Sequence, residues 1–360
     1  MPDLIISILE FVVVIGVLAF LHESGHYLVA RLFKVEVEEF GLGLPPRMVR
    51  LFNIGPTEFT INWIPFGAFV RPKGENNPEI AGGLAAAPPG VRIATMLGGP
   101  AMNIITGILV FSFLFQQVGV PDTKTIKIQA VSPGSPAAQM GILPGDIITK
   151  INGTEINSNE ELIQLVTANR GKQITLTYQR NNRAADIQIT PRLDPPAGQG
   201  ALGIQMSNPM VPINYGQSLI YSLTSVGEIS RQMVLLPYHL IQGQIAPAQA
   251  RVVGPVGMYG IYEKARQNDV QSAATSSNGN LPLNTIYLIA IISIAMGFTN
   301  LLPIPALDGG RILFTLPELL FKRRVPPEYE NMIHLVGFAA LILLMVFITA
   351  QDIINPIVLP

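Results

Sequence analysis

The residues best suited to chemistry in this chain lie together in the segment His22-Glu23-Ser24-Gly25-His26. On a helix, residues four positions apart share one face, so the imidazoles of His22 and His26 can bind one metal ion. Glu23 projects about a third of a turn away, which suits a carboxylate that accepts a proton from an activated water. The segment therefore predicts a metal-dependent hydrolytic site. The alternative is a structural histidine pair in a helix bundle, with Glu23 as its counter-ion.

The third ligand of such a site must come from elsewhere, since a catalytic zinc site takes three protein ligands and leaves one position open. Acidic residues are rare in the apolar stretches, where Glu10, Asp308 and Asp352 occur. Glu10 lies about 18 Å from His22 along the same helix, too far to share an ion with it. Asp352 is expected at the opposite end of its membrane span. Geometry therefore selects Asp308.

Two prolines precede this aspartate and predict a broken helix. Pro303 and Pro305 cannot continue regular helical hydrogen bonding. Broken backbone is tolerated within a membrane where it is buried in protein or lines a wet cavity. We expect the break to bring Asp308 towards the metal, with Gly309-Gly310 leaving room for close approach. The alternative is an ordinary helix end at the membrane interface.

The composition indicates which elements must position these residues. Hydrophobic residues make up 49% of the 360 residues and charged residues 13%, against about 25% charged in soluble domains. This balance excludes a disordered chain and is atypical of a soluble enzyme. With 23 basic and 24 acidic residues, there is no cationic surplus, so we predict no nucleic-acid partner. The absence of cysteine excludes disulfides and thiolate metal sites.

The apolar residues are concentrated in four runs, each long enough for a helix that crosses the lipid bilayer. They cover residues 4–21, 93–118, 281–302 and 333–350. The first run lacks the basic start and the cleavage site of a signal peptide, so it is interpreted as a membrane helix. The apolar stretch 215–241 carries Glu228 and Arg231 and is predicted to be a surface or packed helix instead.

The distribution of basic residues predicts the orientation of the chain. Basic residues cluster between the first two runs and between the last two, at Arg31, Lys34, Arg47, Arg50, Arg71, Lys73, Arg92, Arg311, Lys322, Arg323 and Arg324. Short basic loops face the cytoplasm. We therefore expect a multi-pass protein of the cell inner (plasma) membrane, with both termini and the segment 119–280 outside and the active site near the cytoplasmic side.

The segment 125–206 resembles a bacterial PDZ domain. The resemblance rests on Ser135-Pro136-Ala137-Ala138, Gly141, Pro144-Gly145-Asp146 and Asn152-Gly153, in the order and spacing of that family. It implies that Gly200, Leu202, Gly203 and Ile204 belong to a loop that receives a chain terminus or an extended peptide outside the membrane. The alternative is a packed β-rich domain without a ligand.

Taken together, the motifs resemble the site-2 proteases, the M50 family of intramembrane zinc metallopeptidases, and within it the bacterial RseP/RasP-like branch. The resemblance rests on His22-Glu23-Ser24-Gly25-His26, Leu307-Asp308-Gly309 and a PDZ-like segment between the second and third spans. Further agreement comes from the sequences at Phe40–Pro46, Gly67–Val70, Gly99–Asn103 and Gly254–Gly257. Some members of the family carry two PDZ domains, whereas this chain has room for one.

The resemblance implies roles for individual residues. His22, His26 and Asp308 would bind Zn²⁺, and Glu23 would be the general base. Asn300 would hold the substrate strand, and Gly41, Gly43 and Asn103 would also belong to the substrate-binding residues. The segment around Gly41 and Gly43 would form a re-entrant β-hairpin loop.

The predicted fold is a polytopic α-helical membrane protein with four transmembrane helices, a re-entrant β-hairpin loop and an inserted PDZ domain. Its predicted domains are residues 1–118, 119–206, 207–280 and 281–360. The predicted function is hydrolysis of a peptide bond in or near the transmembrane helix of single-span membrane proteins, such as anti-sigma factors or signal-peptide remnants. The alternative is a non-hydrolytic zinc-binding transporter or receptor whose PDZ domain recruits partners; carriers usually contain an internal repeat, and none is visible.

Overall fold

The structure is a computed structural model that describes residues 2–196, 198–244, 251–275 and 281–356. Its helices are α1 (Pro2–Leu32), α2 (Pro89–Val118), α3 (Pro136–Gln139), α4 (Asn159–Ala168), α5 (Tyr215–Ile241), α6 (Pro255–Thr275), α7 (Leu283–Asn300), α8 (Asp308–Phe321) and α9 (Pro327–Ile354). Its strands are β1 (Val37–Ile54), β2 (Thr57–Pro72), β3 (Val120–Pro121), β4 (Ile126–Val131), β5 (Ile147–Ile151), β6 (Thr154–Glu155), β7 (Ile174–Arg180), β8 (Arg183–Ile189), β9 (Ile204–Ser207) and β10 (Met210–Val211).

These elements form two compact units, which we call the helical unit and the β-rich unit. The helical unit comprises Met1–Leu114 with Gly216–Pro360, and the β-rich unit comprises Phe115–Tyr215. The two segments of the helical unit are therefore far apart in sequence, and the chain between them folds into the β-rich unit.

Four helices are long and apolar enough to cross a membrane. Within the described residues they are Asp3–Leu32, Pro89–Val118, Leu283–Asn300 and Pro327–Ile354. The prediction of four candidate membrane helices is confirmed. Large apolar side chains along α1 and α9, such as Val13, Leu335 and Leu343, are exposed in the structure, as expected of helices whose partner is lipid.

Two further long helices have more polar sequences. Helix α5 covers the stretch predicted to be a non-spanning helix, and it is not among the four membrane candidates. Helix α6 is not predicted from the sequence, because its hydrophobic residues show no clear periodicity. It is held against α1 by polar contacts: Arg266 donates to Glu10 at 2.8 Å, and the hydroxyls of Ser7 and Tyr259 lie 2.7 Å apart.

Asp352, near the end of α9, is buried and ties that helix to the start of α6. Its Oδ2 accepts hydrogen bonds of 2.9 Å from the main-chain N–H groups of Gly254 and Gly257, and its Oδ1 pairs with Arg251 at 2.9 Å. These N–H groups lie at a helix N-terminus, where they have no acceptor within the helix. A capping role therefore explains a buried carboxylate at this position.

The strands β1 and β2 are long and fold back on themselves. Phe40 pairs with both Val70 and Phe59, so the first half of β1 lies between the two halves of β2. The strands bend at Gly43 and Gly67, whose φ angles of +76° and +79° favour glycine. The result is a small antiparallel sheet with residues 68–72 at one outer edge.

The β-rich unit is built around a sheet in the order β8-β7-β5-β4-β9, with β6 paired to β5. Its apolar core includes Ile126, Ile148 and Leu176. The Asn152-Gly153 pair, both with positive φ, forms the hairpin turn that its sequence predicts. Helix α4 begins at Ser158, whose Oγ accepts a hydrogen bond from Glu161 N at 3.1 Å. Strand β9 is at the edge of this sheet.

Candidate metal centre

The structure brings together the side chains of His22, His26 and Asp308. His22 Nε2 lies 3.1 Å from His26 Nε2, and Asp308 Oδ2 lies 3.2 Å from the former atom and 3.3 Å from the latter. Both histidines are buried. One ligand atom from each of the three residues lies within 4.8 Å of the others. Among the described residues, this is the single group of three or more potential metal ligands.

The two histidines occupy one face of α1, which packs closely against α2. A Cβ on Gly25 would lie 2.1 Å from Gly98 O, and a Cβ on Gly98 would lie 2.5 Å from Gly25 O. The two backbones therefore touch where neither residue has a side chain. This close approach places α2 directly beside both imidazoles.

Helix α2 contacts the ring nitrogen of each histidine that points away from the cluster. His26 Nδ1 lies 2.7 Å from Thr95 O, and His22 Nδ1 lies 3.1 Å from Asn103 Nδ2. These contacts fix the orientation of both rings, so that both Nε2 atoms face Asp308.

Asp308 reaches the cluster because the chain is broken between α7 and α8, as Pro303 and Pro305 predict. Helix α7 ends at Asn300, residues 301–307 form turns, and α8 begins at Asp308. The glycine after Asp308 permits this turn, since a Cβ on Gly309 would lie 2.2 Å from Leu301 O. On the far side, Ala306 N donates to His334 Nδ1 of α9 at 2.8 Å. The break is therefore held from two sides.

Glu23 lies beside the cluster and is held by the hairpin. The main-chain N–H of Val70 in β2 donates to Glu23 Oε2 at 3.0 Å. Aromatic rings of α1 and the hairpin pack together, with the Phe20 and Phe40 ring centroids 5.2 Å apart. This packing sets the distance between the two elements. The outer edge of β2 thus runs past the carboxylate predicted to act as the base.

A cavity of about 240 Å³ opens at this cluster. Glu23 and Asn300 contribute to its lining with the three cluster residues, as do Phe69, Val70, Pro72, Glu75, Thr95, Met96, Ala306 and Arg311. Arg311 forms an ion pair with Glu75 at one side. The cavity therefore combines two imidazoles, three carboxylates, an amide side chain and the outer edge of β2.

The donor set fits a zinc ion. Two imidazole nitrogens and one carboxylate oxygen are typical ligands of a catalytic zinc site. Asp308 Oδ2 is buried and has no partner of hydrogen-bond geometry among the described residues. A Cβ on Gly99 would lie 2.3 Å from His26 Nε2 and 2.6 Å from His22 Nε2. The space next to both nitrogens is open because residue 99 has no side chain.

The four substrate-binding residues predicted in the helical unit differ from one another in their surroundings. Asn300 lines the cavity. Gly41 lies inside the hairpin, where a Cβ would meet the ring of Phe69 at 2.3 Å, and a Cβ on Gly43 would meet Ile64 O at 2.5 Å. Asn103 is fully buried. The placement of Gly41, Gly43 and Asn103 favours packing or positioning over contact with substrate.

In the β-rich unit, a groove of about 120 Å³ lies between α4 and β9. Its lining includes Gly200, Leu202 and Ile204, with Leu162 and Val166 from α4. Gly203 has a φ of +72°, and a Cβ there would lie 2.2 Å from Ser135 Cβ. The predicted loop therefore lies at one side of an apolar groove next to an edge strand.

Three contacts of the centre are not predicted from the sequence. They are the carbonyl of Thr95, the main-chain N–H of Val70 and the contact of Asn103 with His22. Every residue except proline has a main-chain donor and an acceptor, so sequence carries no signal for the first two. A weak signal for the third is the spacing of Thr95, Gly99 and Asn103, which puts them on one helix face.

Comparison with known proteins gives matches along nearly the whole chain. The family model described as Peptidase family M50 matches residues 10–344. A Clostridium perfringens protein named as a zinc metalloprotease is 30% identical over 341 residues, covering 94% of this chain and 96% of its own length. The zinc metalloprotease RasP of Geobacillus kaustophilus is 26% identical over 437 residues, covering 98% of this chain and 99% of its own length.

Among solved structures, the PDZ domain of the SdrC-like protein Lin2157 of Listeria innocua matches with 27% identity. The match covers 23% of this chain and 92% of that domain, with a TM-score of 0.21.

Proposed function

Because the chain belongs to peptidase family M50, we propose that it is a membrane-embedded zinc metalloendopeptidase that cleaves single-span membrane proteins in or near their transmembrane helices. The predicted family and the predicted peptidase activity are confirmed by this match. The alternative of a zinc transporter or receptor has no support among the relatives. The names of these relatives agree with Zn²⁺ as the cofactor.

One observation carries the proposal: two imidazoles of α1 and a carboxylate at the start of α8 converge within 4.8 Å, although some 280 residues separate them in sequence. His22, His26 and Asp308 are the zinc ligands. When bound there, Zn²⁺ supplies Lewis acidity that polarises the scissile carbonyl and makes water a better nucleophile.

Glu23 is the general base. It takes a proton from the attacking water and delivers it to the leaving amine. The Val70 N–H, 3.0 Å from Glu23 Oε2, supports this role because it holds one carboxylate oxygen and leaves the other for water. Asn300 lies in the same cavity and is the side chain available to hold the substrate backbone.

The substrate binds as an extended strand at the outer edge of β2, near residues 68–72. A helix hides its carbonyls in its own hydrogen bonds, so it must unwind before hydrolysis, and the freed backbone groups need partners within the membrane. A strand edge supplies them. Support comes from the position of residues 68–72 at the outer edge of the sheet, where Phe69, Val70 and Pro72 line the cavity.

The β1–β2 hairpin is a re-entrant loop in contact with lipid. The supporting observation is its set of exposed large apolar side chains, namely Leu42, Leu44, Met48, Val49, Leu51, Phe52, Trp63 and Ile64. A water-facing hairpin would rarely expose so large an apolar surface.

The β-rich unit is a PDZ-like module that binds a chain terminus or an extended peptide outside the membrane. The edge strand β9 and the apolar groove beside α4 support this role, since an extended peptide can add to such an edge with one side chain in the groove. Residues 1–118, 119–206, 207–280 and 281–360 remain our proposed domains.

The test combines zinc content with cleavage of a model transmembrane substrate in detergent or vesicles. Glu23→Gln should retain zinc and lose more than about 100-fold in kcat, because the amide cannot accept the proton. Glu79→Gln, at an exposed carboxylate, is the matched control and should retain both properties. Wild-type protein that binds no zinc, or a Glu23→Gln variant with normal turnover, would refute the proposal.

A further inference from the structure

The main-chain partner of His26 determines which of its two ring nitrogens carries the proton. Thr95 O, 2.7 Å from His26 Nδ1, can only accept a hydrogen bond. The Nδ1 of His26 therefore carries the proton, and its Nε2 presents a lone pair to the space shared with Asp308. A metal-binding histidine needs this arrangement.

The corresponding contact of His22 has the opposite polarity. Asn103 Nδ2 lies 3.1 Å from His22 Nδ1, and an amide nitrogen can only donate. This contact would leave the proton of His22 on Nε2, facing Asp308 Oδ2 at 3.2 Å. Such a tautomer cannot bind a metal ion through Nε2.

The Asn103 amide has a second orientation that resolves this conflict. Asn103 Oδ1 is buried and has no hydrogen-bond partner among the described residues. Half a turn of the amide about its Cβ–Cγ bond exchanges the two terminal atoms and brings the oxygen to His22 Nδ1. His22 then donates from Nδ1 and offers the Nε2 lone pair to the metal.

We infer that Asn103 is a positioning residue whose Oδ1 accepts a hydrogen bond from the Nδ1–H of His22 and thereby leaves the Nε2 lone pair of His22 for zinc. This role replaces the substrate-binding role predicted for Asn103, and it rests on the proposed zinc peptidase function. Asn103 acts through His22 and does not touch the reacting atoms.

The location of Asn103 is consistent with a positioning role. Its side chain is fully buried, and its backbone carbonyl accepts a hydrogen bond of 2.8 Å from Ser293 Oγ of α7. Thr95, Gly99 and Asn103 follow one another at intervals of four along α2 and so share one face. Thr95 contacts the ring of His26 and Asn103 contacts the ring of His22. Gly99 leaves the space beside the two Nε2 atoms open.

Zinc affinity of the purified full-length protein, measured by competition with a chelator, tests this inference. Asn103→Leu has a similar shape without an acceptor and should bind zinc about 10- to 100-fold more weakly. Asn103→Asp retains an acceptor and should bind zinc at least as tightly as wild type. Thr106→Val is the matched control, because Thr106 lies on the same helix and its Oγ1 donates to Met102 O of that helix at 2.8 Å. It should not change zinc affinity.

A second measurement covers the case in which Asn103→Leu does not fold. Cobalt-loaded Asn103→Asp should show a visible absorption spectrum shifted from that of cobalt-loaded wild type, since a carboxylate acceptor makes His22 a stronger ligand. Asn103→Leu with wild-type zinc affinity and a raised KM would overturn the inference in favour of substrate binding, and so would an unshifted cobalt spectrum. Wild type without zinc affinity would instead overturn the proposed function.

Discussion

At the scale of single residues, the candidate metal centre depends on a glycine at position 99, because any side chain there would occupy the space beside the two histidine nitrogens. Gly99 lies against both Nε2 atoms, and a Cβ there would be within 2.6 Å of each. Such distances are far below van der Waals contact, and the ring nitrogens belong to side chains held by hydrogen bonds on their other side. The smallest possible substitution at this position should therefore disturb two ligands together.

We predict that Gly99→Ala abolishes measurable zinc binding and peptidase activity while the protein keeps its helical content. The methyl group would occupy the space beside His22 and His26, whereas alanine itself favours the helix. Gly90→Ala is the control, because nothing lies within 4 Å of a Cβ there. Zinc content and circular dichroism of both variants make the comparison. A Gly99→Ala protein with full zinc occupancy would show that the space beside the nitrogens is not needed.

The proposed ligands could be selected from the sequence, but the groups that position them could not. His22 and His26 stand out because their spacing fits one helix face, and Asp308 because few other carboxylates lie in apolar segments. Thr95 contributes only its carbonyl, which carries no residue-specific signal. Asn103 resembles a substrate-binding residue until its contact with His22 is seen.

At the scale of elements, length and apolar composition were sufficient for the four candidate membrane helices, and Pro303 and Pro305 were sufficient for the helix break before Asp308. They were insufficient for α6, whose stability comes from contacts such as Arg266 with Glu10 and from the Asp352 cap. They were also insufficient for the hairpin, where Phe40 pairs with two segments of β2. Both features depend on distant partners, which local periodicity does not reveal.

Strand β5 of the β-rich unit begins next to Asp146, which links three parts of that unit. Arg180 donates to both of its oxygens at 2.7 Å, and Leu143 N donates at 2.8 Å. Burial raises the pKa of the Asp146 carboxyl, but the bonds from Arg180 and Leu143 outweigh burial and leave its pKa below the usual 3.8. The ionised form is therefore favoured by folding.

A carboxyl with a lowered pKa in the folded state stabilises the fold above its unfolded pKa and loses that contribution as the pH falls through its folded pKa. We predict that hydrogen exchange in β5 and β7, corrected for the intrinsic rate, becomes faster below about pH 4. Asp146→Asn should exchange faster than wild type at neutral pH and show a smaller change on acidification. Glu155→Gln, at an exposed carboxylate, should behave as wild type. Equal acid sensitivity of wild type and Asp146→Asn would contradict this account.

At the scale of the whole molecule, the chain combines a helical unit made from its two ends with a β-rich unit made from its middle. The composition predicts this arrangement coarsely, because the apolar runs end before residue 119 and resume after the β-rich segment. The orientation across the membrane follows from a different property, the positions of basic residues. Charge in short loops decides which side they face during insertion, so orientation is a separate prediction from fold.

The absence of cysteine makes that orientation directly testable, since any introduced thiol is the only one in the chain. We propose single substitutions at three exposed positions: Glu79→Cys, Lys172→Cys and Arg323→Cys. In intact cells, a membrane-impermeant maleimide should label the cysteine at position 172, which the basic-loop rule puts outside. It should not label positions 79 and 323 until the membrane is permeabilised, because the loops that contain them are predicted to face the cytoplasm. Labelling of positions 79 or 323 in intact cells, or protection of position 172, would reverse the orientation and move the metal centre to the other side of the membrane.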